Sequence, residues 1–108
     1  MTSKILLHLG LARRAGKLSW REDDNLAAIR AGRARLLVLA YDAGPATAKR
    51  YRDKCRTFTV PLLSYATSAE LGWAAGLSPR PALVLLDDGF ASRLRELARE
   101  EGLNHLGT

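Results

Sequence analysis

Residues Leu36–Ala40 read LLVLA, five apolar side chains in unbroken succession. A strand with one wet face alternates apolar and polar residues, so a run without alternation suits a strand covered on both faces. Ala82 to Leu86, ALVLL, is a second run of this kind, and Val60 to Ser64, VPLLS, is a third candidate with Pro61 near its start. Buried strands of this sort need helices above and below them, and the segments between them supply helical signals.

Upstream of LLVLA, Ile5, Leu9 and Ala12 recur at helical spacing with Leu6 beside them, which predicts an amphipathic helix over Ser3 to Arg14 with Gly16 as its stop. Leu18-Ser19-Trp20 is a brief strand candidate. Leu26 and Ile29 continue a second helix from about Glu22, ended by Gly32. Downstream, Gly44-Pro45 opens a third helix to about Arg56, with Tyr51 and Cys55 on its apolar side. Thr67 and Glu70 form a capping-box pair that starts a fourth helix, running to about Ala75. Gly76 to Pro81, GLSPRP, is a loop, and Asp87-Asp88 starts a last helix in which Phe90, Leu94 and Leu97 share a face. The order αβαβαβαβα implies an α/β sandwich with helices on both faces. The short first strand is expected to pair antiparallel, giving a mixed sheet.

A chain of 108 residues suits one compact domain, 1–108, with a tail expected to fray from about Gly102. A hydrophobic fraction of 47% argues against disorder. Cys55 is the one cysteine, which excludes a disulfide or a cysteine zinc site within the chain. No stretch reaches membrane-span length. Met1 to Leu11 is broken by His8 and Gly10 and followed by Arg13-Arg14, so it does not read as a signal peptide. The expected location is cytoplasmic. The 17 Lys and Arg against 11 Asp and Glu, with a pI near 10.1, favour a polyanionic partner.

Signals for catalysis are weak. His8 and His105 have no metal-ligand neighbours at helical spacing, the serines lack a nucleophile-elbow context, and Cys55 reads as a buried thiol. GLARRAGK (Gly10 to Lys17) has the wrong gap for a phosphate-binding loop, lacks Ser or Thr after Lys17, and sits on a helix. No cofactor is expected. In a chain of net charge +6, the acids Glu22, Asp23 and Asp24 are the anomaly. Their simplest explanation is a helix start, where carboxylates face the positive end of the macrodipole and accept free N–H bonds. The basic residues group as Arg13, Arg14, Lys17; as Arg30, Arg33, Arg35; and as Lys49, Arg50, Arg52, Lys54, Arg56. The third group is equally well explained as a solvated face or as RNA contact. Trp20 could stack on a base, although a lone Trp is more often core.

The ordered stretches LGLARRAGKL (Leu9 to Leu18), AIRAGRARLLVLAYDAGPATAKRYRDKC (Ala28 to Cys55), VPLL (Val60 to Leu63), TSAELGWAAG (Thr67 to Gly76) and DDGFASRL (Asp87 to Leu94) cover nearly the whole chain. In that order they resemble the ribosomal protein L-seven-Ae kink-turn RNA-binding superfamily, and most closely its bacterial YlxQ-like branch. The resemblance implies a three-layer α-β-α sandwich with a mixed, about four-stranded sheet, and RNA binding without catalysis. It also implies two RNA-binding regions: Lys17 through Ala27, and the loop Gly76 through Pro81. The residues carried over are Lys17, Trp20, Arg21, Glu22, Asp23, Asp24 and Asn25 from the first, and Ser78 and Arg80 from the second. Members of the superfamily carry Gly-Thr-Asn-Glu at the helix start and a Lys three residues later; Arg21, Glu22, Asp23 and Asp24, then Ala27, stand there in this chain. Asp23 in place of Asn lacks two amide donors, Ala27 lacks a phosphate contact, and the added charges repel phosphate.

The leading expectation is therefore a non-catalytic protein that binds structured RNA, of ribosomal or kink-turn-like type. Its mechanism would be capture by Lys17, Arg21 and Arg80, with discrimination by Asp23, Asp24 and Asn25. The alternative is a protein-interaction module on the same fold, with the acidic start of the second helix docking a basic protein partner and RNA binding lost. An enzyme ranks last.

Overall fold

The computed structural model describes residues 3–103. Its elements are α1 (Lys4–Arg14), β1 (Leu18–Ser19), α2 (Glu22–Arg30), β2 (Leu36–Leu39), α3 (Pro45–Phe58), β3 (Leu62–Ser64), α4 (Ser68–Ala74), β4 (Ala82–Leu85) and α5 (Asp88–Glu100). The tail from residue 104, including His105, lies outside the described residues. Leu103 still donates its N–H to the Ala98 carbonyl at 2.7 Å and packs on the core.

The strand order is β1-β4-β2-β3. β2 and β3 are parallel, and β4 runs antiparallel to both β1 and β2. The sheet is mixed and β1 pairs antiparallel, both as expected; β4 is the strand that runs against the other three. The alternation hidden inside LLVLA is between two covered faces. Leu36 and Val38 join Leu83 and Leu85 in a core under α1, α4 and α5. Leu37 and Leu39 join Ala82 and Val84 in a second core under α2 and α3, with Tyr51 and Cys55. The result is a three-layer α-β-α arrangement.

Local chemistry accounts for the boundaries. Ser3 caps α1 by accepting from the Ile5 and Leu6 N–H groups, and Thr67 and Glu70 cap α4 reciprocally. β3 begins two residues later than the sequence predicts. Thr59 adopts a left-handed conformation, φ 57°, at the end of α3, and the Val60 N–H returns to the Cys55 carbonyl at 2.8 Å. Pro61 has no N–H to offer the sheet. The Cys55 thiol is fully buried, and desolvation pushes its pKa up to about 11, which makes it inert near neutral pH. His8 fills a packing role: its Nε2 meets the Phe90 carbonyl oxygen at 2.8 Å, and its ring lies 5.1 Å from that of Phe90.

Because β4 is reversed, the loop before it shares one end of the sheet with the segments that leave β1, β2 and β3. That end holds the start of α2, the β2–α3 loop, the start of α4, and residues 76–81.

Candidate nucleic-acid interface

β1 is an edge strand two residues long, and the chain passes from it straight into α2. Arg21 stands at the N-cap with extended backbone and no side-chain capping bond, and its own side chain is exposed. The sequence expectation that the acids accept free N–H groups of this helix start is therefore not met here. It is met at α5, where Asp87 Oδ2 accepts from the Phe90 N–H at 3.0 Å.

The three acids differ in their surroundings. Glu22 is held by α3: Arg50 Nη1 donates to both carboxylate oxygens, at 2.5 and 2.9 Å. The pair is half-exposed, and such pairs contribute about 1 kcal/mol or less. Asp23 and Asp24 are exposed and make no ion pair among the described residues. Asn25, expected beside them as a reader of RNA, is fully buried. Its Oδ1 accepts from Ser19 Oγ at 2.6 Å, and its Nδ2 donates to the Tyr51 hydroxyl at 3.1 Å. Tyr51 is buried too, and desolvation raises its pKa, with the Asn25 bond opposing. Asn25 therefore positions the site by tying β1, α2 and α3 together, and it has no surface to offer a ligand.

Trp20 is half-buried and packs against the core under α1, which meets the core reading in part. Its ring is covered by the Arg13 guanidinium at 4.3 Å, a cation–π contact. Trp20 also lines a shallow groove of ≈ 270 Å³ along β1, with Asp24, Ala27, Arg33 and Leu86. The small side chain of Ala27 leaves this part of the groove open. Arg33 enters the same groove, which the sequence reading missed because it grouped Arg33 with the far end of α2. The signal was Gly32: its φ of +74° turns the chain so that the Arg33 N–H meets the Ala28 carbonyl at 2.9 Å, folding Arg33 back along the helix.

Lys17 is exposed, and its carbonyl accepts from the Leu86 N–H at 2.9 Å. It flanks the groove from the opposite end of β1, about 10 Å from Trp20 at 3.3 Å per residue. The fold does not bring Lys17 and Arg80 together, because the length of β4 lies between them.

The second region is a loop clamped to α4. Leu77 donates its N–H to the Gly72 carbonyl at 2.8 Å, Arg80 donates its N–H to the Ser68 carbonyl at 3.0 Å, and the Pro81 carbonyl accepts from Ala40 at 2.8 Å. Gly72 permits the close approach, since a Cβ there would meet the Ser78 carbonyl oxygen at 2.2 Å. Ser78 is exposed, and its Oγ accepts from Arg80 Nη2 at 3.3 Å. The Nε atoms of Arg80 and Arg13 are buried with no hydrogen-bond partner among the described residues. Unsatisfied buried donors are uncommon, and both stand at the flanks of this end of the sheet.

Among the described residues no cluster of three or more His, Cys, Asp or Glu side chains could hold a metal ion. No helix among them is long and apolar enough to cross a membrane.

Over 89 residues the chain is 40% identical to the RNA-binding protein YlxQ of Bacillus subtilis, covering 82% of this chain and 89% of that one. It is 37% identical over 94 residues to the RNA-binding protein YlxQ of Enterococcus faecium, covering 87% and 90%. A solved structure from Bacillus halodurans, of a protein with unknown function, superposes with a TM-score of 0.86 at 34% identity, over 91% of this chain and 99% of that one. The Giardia lamblia 15.5kD RNA binding protein shares the fold at TM-score 0.77 and 20% identity, over 92% and 86%. With a family match that spans residues 3–95, the chain belongs to the Ribosomal protein L7Ae/L30e/S12e/Gadd45 family.

Proposed function

We propose that this chain is a non-catalytic, cytoplasmic RNA-binding protein that engages structured RNA at the β1–α2 groove and the 76–81 loop. The observation that carries this reading is the groove itself. Trp20 and Arg33 line an open space beside β1, and exposed Arg21 follows Trp20 in the chain, in a protein of net charge +6 with Lys17 and Arg80 on either flank. The RNA-binding names of two relatives that align over most of their length support it.

Roles follow from position. Arg21, Arg33, Lys17 and Arg80 supply cations to phosphates. Trp20, with Arg13 on its ring, offers an aromatic edge beside the groove. Asp24, inside the groove, and exposed Asp23 act as hydrogen-bond acceptors, which suits a guanine edge or an exocyclic amine and not a phosphate. Glu22, tied to Arg50, serves orientation. Ser78 holds the Arg80 guanidinium. The RNA is structured, of ribosomal or kink-turn-like type, a reading that the family match supports.

Gel-shift titration against a kink-turn RNA, the same RNA without its kink, and total ribosomal RNA tests the reading. With four phosphates neutralised, affinity falls on the order of a hundredfold between 50 and 200 mM salt. Arg33→Ala weakens binding and flattens the salt slope by about one. Asp23→Asn combined with Asp24→Lys tightens it. Binding to none of the three RNAs at low salt defeats the proposal. A protein partner lost from pull-downs of the same double variant, with RNA affinity unchanged, would instead make the start of α2 a protein-docking surface.

A further inference from the structure

The opposite side of the sheet carries a larger groove, of ≈ 740 Å³, which RNA binding at β1 leaves unused. It lies between α1, α4 and the segments that leave β2 and β3. Leu6 and Ala66 are buried at its base, Tyr65 is half-buried, and Tyr41 and Trp73 stand 63% and 66% exposed at its rim. Exposed aromatics bordering one groove are uncommon on a surface with no partner.

Its walls are fixed before any ligand arrives. The Tyr65 hydroxyl lies 2.6 Å from Ser3 Oγ and donates to Glu101 Oε1 at 3.4 Å. Tyr41 donates its N–H to the Ala66 carbonyl at 2.8 Å. Asp42, next to Tyr41, accepts from both the N–H and the hydroxyl of Ser68, at 2.8 and 2.9 Å. Ala66 itself is held at φ +64°, a left-handed conformation that a residue with a Cβ adopts at a cost and that concentrates at binding sites.

The electrostatics select the ligand. Glu70 lines the groove, Glu101 meets its wall at Tyr65, and Asp42 stands beside Tyr41. No Lys or Arg among the described residues lines it, although the chain carries six excess positive charges. Three carboxylates repel a phosphate backbone, whereas carboxylates together with aromatic faces attract a cation. The volume is that of a ligand pocket rather than a site for a bare ion. The apolar base at Leu6 and Ala66 suits the methylene stem of a long basic side chain or an adjacent aliphatic residue.

We infer that the α1–α4 groove docks a basic segment of a partner protein, with an arginine or lysine side chain seated among Tyr41, Tyr65, Trp73 and Glu70. The chain then holds RNA along β1 and a protein on the other layer.

The test uses the full chain, isotope-labelled, with the hexapeptide acetyl-Arg-Leu-Arg-Leu-Arg-Leu-amide as probe. Saturable shifts are expected at the amides of Tyr41, Tyr65, Ala66 and Ala69 and at the Trp73 indole, with the Glu-for-Arg peptide giving none. Trp73→Ala and Glu70→Gln should each weaken peptide binding at least fivefold. Glu70→Gln keeps the carbonyl oxygen that caps α4, and Trp73 is exposed, so both variants should fold and should bind RNA like the parent. No shifts at millimolar peptide, equal shifts with the acidic peptide, or preferential shifts with single-stranded oligouridine would each overturn the inference. So would shifts that depend on protein concentration alone, which would assign the groove to a second copy of the chain.

Discussion

At the scale of single residues, four adjacent polar side chains have three different neighbourhoods. Glu22 is paired, Asp23 and Asp24 are open, and Asn25 is buried. Sequence reading found the stretch but did not sort it, because polarity alone does not show which side chain has a buried partner. What sorts them is the Tyr51 hydroxyl, 26 residues away, which gives only Asn25 a partner in the interior. Asn25→Ala leaves the Ser19 and Tyr51 hydroxyls short of a partner and lowers stability by about 1–3 kcal/mol, measurable by urea denaturation. Its effect on RNA affinity is indirect, through displacement of β1 against α2. Cys55 makes a second residue-scale prediction. Its thiol keeps its proton in the folded state up to a pKa of about 11, against an ordinary value of 9.0. The unfolded chain therefore releases a proton first as pH rises, and the stability present below pH 9 is progressively lost between 9 and 11. Urea midpoints measured across that range should fall more steeply for the parent than for Cys55→Ala.

At the scale of elements, most of the architecture was legible. LLVLA and ALVLL are covered strands because their residues feed two cores in alternation, and Thr67 with Glu70 does start a helix. The errors sit where one backbone torsion decides. Thr59 turns left-handed and shortens β3, and Gly32 turns Arg33 into the groove beside β1. Neither position shows the hydrophobic periodicity on which the sequence reading relied. The reversal of β4 is likewise invisible in a buried run, which looks the same in either direction. Gly72 carries the prediction at this scale. Gly72→Ala drives a Cβ into the Ser78 carbonyl, so the 76–81 loop must lift from α4. The expected outcome is a loss of about 1–3 kcal/mol in thermal or urea unfolding. RNA affinity should fall as well, because Arg80 moves with the loop, and this loss should persist at temperatures where the variant is fully folded.

At the scale of the whole molecule, charge and aromatics are distributed between layers. The β1–α2 side combines exposed arginines with a half-buried Trp, and the α1–α4 side combines carboxylates with exposed aromatics. Net charge alone pointed to a polyanion and said nothing about the second groove, because a sum hides a local reversal of sign. The two binding reactions are therefore expected to respond differently to substitution. Arg33→Ala should affect RNA and spare the peptide, and Trp73→Ala should do the reverse. Both reactions should weaken as salt rises.

The sheet ends on its two shortest strands, β1 with two residues and β3 with three, while the four-residue strands β2 and β4 lie inside. An exposed strand edge is a template on which another chain can add a strand and begin to aggregate. Here neither edge presents enough consecutive backbone groups to hold an intruding strand. The same brevity that lets the chain leave β1 at once for α2 also protects the protein from polymerising through its sheet. Lengthening β1 to strengthen the fold would thus cover the groove and expose a sticky edge together.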